Sequence, residues 1–149
     1  VKKSFLILLS FTFFGLLQAQ TINEKIVKYC KANMGKKIDR GECWDLIAFA
    51  LNDAGAKWNN YDVYGKVYDY KKEKIKAGDI IEFHDAKFVK PDGAWFSMFE
   101  HYAIVYEIKE GNTIVIAHQN HNNVRKVQTL EVNLDNLEKG KLIFYRPEI

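Results

Sequence analysis

Cysteine is scarce in this chain, with only two in 149 residues, too few to staple a small disulfide framework. Neither sign of charge dominates: 22 Lys and Arg face 19 Asp and Glu, for a net charge of +3. That balance excludes the strongly basic footprint of a nucleic-acid binder. No apolar run is long enough to cross a membrane. The longest, Phe5 to Leu17, covers 13 residues with Ser10, Thr12 and Gly15 inside it, against about 20 for a spanning helix. Repeats, low-complexity tracts and a helical His-Glu-x-x-His metal motif are all missing. What remains is an ordinary globular composition, 48% hydrophobic and rich in aromatics at 14%, with length for one domain.

Lys2 and Lys3, the short apolar run after them and the small residue Ala19 form the pattern of a secretory signal peptide. The expected organisation is a leader over 1–19 and one domain over 20–149, with the mature protein secreted or periplasmic. No cysteine lies near the cleavage point, so no stable membrane anchor is expected there. A monomer is expected.

Thr21 and Glu24 have capping-box spacing, and Ile22, Ile26, Cys30 and Met34 recur every fourth residue, predicting a helix that ends at Gly35. A second helix is predicted from Cys43 to Ala54, with Leu46, Ile47, Ala50 and Leu51 as its buried face and Gly55 as its stop. Residues 56–76 carry no clear period. Strands are predicted at Asp79–His84, His101–Ile108, Thr113–His118, Val124–Val132 and Leu142–Tyr145, with a short helical turn at Leu134–Glu138. Helices followed by consecutive strands give an α+β fold, N-terminal helices packed on an antiparallel sheet.

The chemistry centres on Cys43. In the first turn of a helix, backbone N–H groups and the helix dipole favour the thiolate and lower the thiol pKa. Its own N–H is the natural oxyanion donor. A nucleophile needs a base, and His101 opens a strand about sixty residues later. His118, Gln119 and Asn120 end the next strand and are candidates for the group that orients the imidazole. A two-residue loop at Glu110-Gly111 pairs His101 with Asn120 and Ala103 with His118. One at Gly111-Asn112 pairs Val105 with His118 and Ala103 with Asn120. Either register puts His101, His118 and Asn120 on one face and turns Gln119 away; a slip by one residue sends His118 to the other face. Trp95, Phe96, Met98 and Phe99 read as an apolar loop before His101, either packed on the sheet or walling a substrate cleft.

Gly41-Glu42-Cys43-Trp44-Asp45-Leu46, Gly78-Asp79-Ile80-Ile81-Glu82-Phe83, His101-Tyr102-Ala103-Ile104-Val105 and Phe144-Tyr145-Arg146-Pro147 together resemble the papain-like thiol hydrolases of the NlpC and CHAP groups. More narrowly, the chain is similar to the cysteine-proteinase-fold domain at the C-terminus of some fungal actin-patch proteins. The Gly-Glu-Cys-Trp-Asp run and the Gln119-Asn120 pair are the most specific matches. The resemblance implies a papain-like fold with Cys43 as nucleophile, His101 as base, His118 as orienting residue and Asn120 as an additional polar residue. Trp44, Trp95 and Phe96 are the substrate-binding candidates. It implies an exported cysteine amidase or peptidase acting on a peptide or on peptidoglycan, without cofactor.

Two other readings compete for the same residues. A Cys30–Cys43 disulfide would consume the nucleophile, and His118 with His121 could form part of a metal site, although no metal is expected. The functional alternative is a catalytically inactive binding module on the same fold, which the bulky Trp44 beside the cysteine favours. Asp45, two residues beyond Cys43 on the helix, is expected to be structural.

Overall fold

The computed structural model describes residues 19–149, so most of the segment read as a leader lies outside the described residues. Helix α1 spans Ile22–Asn33 and α2 spans Cys43–Ala54. Both ends of α1's capping box form: Thr21 Oγ1 accepts from the Glu24 N–H, and the Glu24 carboxylate accepts from the Thr21 N–H. Gly55 adopts the left-handed conformation that stops α2. Of the expected α1 stripe Ile26 and Cys30 are enclosed, Ile22 is partly buried, and Met34, beyond the helix end at Asn33, is exposed. The expected apolar face of α2 is buried, with Leu46, Ile47, Ala50 and Leu51 fully enclosed. Each large aliphatic side chain so buried contributes about 1.5–3 kcal/mol.

Strands β1 (Lys66–Tyr68), β2 (Ile80–Val89), β3 (Trp95–Ile108), β4 (Thr113–His118), β5 (Gln128–Asn133) and β6 (Leu137–Arg146) form one sheet in the order β1-β6-β2-β3-β4-β5. Every pairing is antiparallel. A 3-10 turn at Leu134–Asn136 stands where a short helical turn was expected. Strand alternation divides the core in two. Ile80, Ile104 and Ala117 point toward the helices, while Ile81, Phe83, Ala103, Val105 and Ile116 build a second cluster on the opposite face.

Three expectations change. The aromatic stretch from Trp95 to Phe99 is strand rather than loop, because Phe96 pairs with Phe88 and stacks on it at 4.9 Å. The loop is instead the tip at 90–94, where the Lys90 N–H donates to the Ala94 carbonyl at 2.7 Å. The fourth predicted strand begins four residues late, at Gln128, since Asn122 and Asn123 take left-handed conformations. The patternless stretch holds β1, three residues long and recognisable only by its pairing with Phe144–Arg146 of β6.

Asp79 knits these layers together. Its buried carboxylate accepts from Tyr68 on β1 at 2.6 Å, from the Lys76 N–H at 2.8 Å, from Asn23 on α1 at 3.0 Å and from the Arg146 guanidinium on β6 at 3.0 and 3.2 Å. Gly78 precedes it at φ +89, and a Cβ there would sit 2.5 Å from the Asn23 carbonyl oxygen. The Gly-Asp dipeptide is therefore a structural joint between α1 and the sheet.

Candidate functional site

The start of α2 is held by its own motif. The Asp45 carboxylate accepts from the Glu42 N–H at 3.0 Å and pairs with Arg40, so Asp45 is structural, as its position implied. Gln119 turns away from the histidines as expected, but that direction is toward the helices, where it fixes the loop before Cys43. His101 and His118 lie on the opposite face of the sheet, against the expectation that they meet Cys43. Its Nε2 donates to the carbonyls of Glu42 at 2.7 Å and Ile38 at 3.1 Å, and its Oε1 accepts from the Ile38 N–H at 3.2 Å. The Glu42 carboxylate accepts from Asn120 and from Arg125. The two most specific sequence motifs thus bind each other, positioning Cys43 against Tyr102 in the middle of β3.

The hairpin delivers His118 to His101 by a route the loop length alone did not foretell. The loop has three residues, 110–112, and next to it Glu107 pairs with Val115 and Ile108 with Ile114. Continued unchanged, that register would turn His118 to the helix side. A bulge between Val105 and Glu107 takes up the extra residue, so that Val105 pairs with Ile116 and Ile104 with Ala117. His101 Nε2 then lies 2.8 Å from His118 Nδ1, with both rings buried on the face of Phe83 and Ala103. His121 is half-buried with its ring 5.2 Å from that of His118 and 5.8 Å from that of His101.

Asn120 does not join this pair. β4 ends at His118, Asn120 takes φ +57, and its N–H donates to the Val124 carbonyl at 2.8 Å. The tight turn swings its side chain to Glu42. Trp95 and Phe96 also lie elsewhere. They begin β3, six and five residues before His101, roughly 20 Å along a strand at about 3.4 Å per residue. Trp44 does stand beside Cys43, its ring 5.9 Å from Trp58 and its Nε1 donating to the Tyr61 carbonyl at 3.0 Å.

Cys43 is partly buried, and both cysteines are free thiols. Burial pushes the Cys43 thiol above its ordinary pKa. The nearby N–H groups of Tyr102, Trp44 and Cys43 itself act the other way without prevailing, and the Glu42 charge adds to the rise. This reverses the expected activation by the helix start: the desolvation cost of the thiolate exceeds the gain from the amides. Burial likewise holds His101 and His118 well below the usual histidine range, with neighbouring imidazoles adding to the effect. Among the described residues no hydrogen bond joins Cys43 to an imidazole; the thiol meets β3 at the backbone of Tyr102. No group of His, Cys, Asp or Glu among the described residues is arranged to hold a metal. In the closest approach, His101 and His118 direct nitrogens at each other rather than at a shared point. The residues that shape this site beyond the predicted candidates are Glu42 and Tyr102, whose signal lay in the motifs that contain them, while Gln119 serves the Cys43 loop and not an imidazole.

Two helices on a six-stranded antiparallel sheet, with a cysteine opening the second helix and a histidine pair on adjacent strands, define an α+β domain of the papain-like cysteine-proteinase fold. The chain belongs to the family of the AIM3/BBC1 cysteine proteinase-fold domain, whose model matches residues 16–148. It is similar to altered inheritance of mitochondria protein 3 of Debaryomyces hansenii, at 28% identity over 83% of this chain. The match spans only 16% of that relative's length. Among solved structures it is similar to Ly7917, alone (TM-score 0.56, 15% identity) and with the hydrolyzing product of MDP (TM-score 0.57, 16% identity). In both, 86% of this chain and 63% of the other are covered, a likeness of fold.

These findings correct the expected location. Membership of this family, and likeness to a protein named for the inheritance of an organelle inside the cell, overturn the secreted or periplasmic assignment. Nor does any finding bring peptidoglycan to this chain.

Proposed function

We propose that this domain is a binding module that keeps the papain-like fold without its hydrolytic activity, and that it takes a polypeptide segment on the surface around Cys43 and Trp44. The observation that carries this reading is geometric: Cys43 opens α2 on one face of the sheet while His101 and His118 lie on the other. The partly buried thiol, its pKa raised by that burial, has no imidazole as hydrogen-bond partner among the described residues. A thiol protease needs the opposite, a thiolate populated near neutral pH. Trp44 adds support, since it is pinned to the Tyr61 carbonyl and packs on Trp58 immediately beside the nucleophile position.

A cysteine peptidase or amidase is the second reading, favoured by the 2.8 Å His101–His118 contact. Such a contact fits an orienting residue holding a base, but the pair lies on the face of the sheet opposite α2, so this reading requires a rearrangement that brings an imidazole to Cys43. In that reading Cys43 attacks an amide carbonyl, His101 takes the thiol proton and returns it to the leaving amine, and the Cys43 N–H faces the oxyanion. The experiment is mass spectrometry of a broad peptide and amide panel incubated with the wild-type domain and with Cys43→Ala. Identical fragment profiles are expected; products formed only by wild type would establish the hydrolase.

A further inference from the structure

At the far end of the sheet, beyond the reach of the helices, the outer face is bare. Trp95 and Phe99 are 65% and 74% exposed there, although both sit in the regular strand β3. With Ser97, Met98, Lys87 and Lys139 they line a shallow cavity of about 320 Å³. Two large aromatics exposed within five residues on one concavity are a marked departure from an ordinary soluble surface, where such patches signal interaction.

The charges at this cavity specify what it accepts. Lys87 on β2 pairs directly across with Lys139 on β6, and like charges placed opposite one another are unfavourable. Lys87 has a partner in Glu138 at 2.7 Å, an exposed ion pair of little intrinsic strength. Lys139 has no ion-pair partner among the described residues. The Lys87 ammonium also lies 5.9 Å from the centroid of the Trp95 ring, setting a cation beside an aromatic face. An incoming carboxylate relieves the repulsion between the two lysines while an apolar group covers the aromatic floor.

We propose that this groove, distinct from the surface at Cys43, docks an acidic peptide segment that carries at least one bulky apolar side chain. The shape favours a peptide over a lipid surface. The site is concave and of a size for one or two side chains, and its lining holds two lysines, Lys87 and Lys139, against one carboxylate, Asp85. The inference does not depend on whether Cys43 is catalytic.

Selection of a random dodecapeptide display library on the immobilised domain tests it. Wild type is expected to enrich sequences with carboxylates flanking a Leu, Phe or Trp. A synthetic peptide of the enriched sequence should bind more weakly as salt rises, and Lys87→Glu/Lys139→Glu and Trp95→Ala should each weaken it roughly tenfold or more. Cys43→Ala should leave its binding unchanged. Thermal melts of the variants establish that they fold, and the salt dependence in wild type stands independently of them. Enrichment of basic or neutral peptides, no enrichment, insensitivity to both variants, or preferential binding of phosphatidylserine vesicles would overturn the proposal.

Discussion

His101 Nε2 and His118 Nδ1 lie 2.8 Å apart on buried strands, so one imidazole donates to the other and neither ring is readily charged. Both are held below their ordinary pKa, first by burial. As pH falls, the unfolded chain therefore takes up protons before the folded one. The stability contributed by the pair is full above the unfolded histidine value of about 6.5 and is lost as pH drops through and below it. The slope is up to about 1.4 kcal/mol per pH unit for each ring. Urea melts at about pH 7.5 and about pH 5 should show the loss, and His118→Asn should reduce the pH dependence. Equal stability at the two pH values would contradict it.

Gln119→Ala removes three hydrogen bonds at once and leaves the buried Ile38 N–H without its partner, while the Ile38 and Glu42 carbonyls keep the Gly41 and Asp45 N–H groups. The expected cost is about 1–3 kcal/mol for a strongly buried group. Gln119→Glu should be at least as harmful, because it aims a carboxylate at two carbonyl oxygens. Thermal denaturation measures both; an unchanged midpoint would remove the clamp between the Gln-Asn pair and the Cys43 loop.

Asp79→Ala strands the Tyr68 hydroxyl and leaves the Arg146 guanidinium with only the Lys74 carbonyl and Glu73. Breaking a buried pair from one side costs about 3–5 kcal/mol. Arg146→Lys keeps the charge but loses the two-nitrogen grip, and should cost less. Chemical denaturation of the two variants tests the order.

Much of this molecule was legible where chemistry is local. The Thr21–Glu24 cap, the Gly55 stop and the apolar stripes predicted both helices because propensity and burial agree there. The sharing of one face by His101 and His118 was legible too, but the mechanism was not: a three-residue loop and a compensating bulge cannot be read from alternation alone. Asn120 was misplaced because a left-handed residue ends the strand before it. Trp95 to Phe99 reads as a loop in the sequence because four large apolar residues around a single Ser97 show no period of two. The pKa of Cys43 depends on burial, a tertiary quantity that a helix-start motif does not encode.

The most direct measurement is the rate of Cys43 alkylation by iodoacetamide as a function of pH, resolved from Cys30 by peptide mass spectrometry. Cys30, its thiol pushed up to about 12 by burial, serves as the inert internal reference. The account predicts that Cys43 reactivity rises only through and above the ordinary thiol value of about 8.5, with no step near neutral pH. A reactive plateau at neutral pH that His101→Ala abolishes would contradict it and establish a working thiolate–imidazole pair.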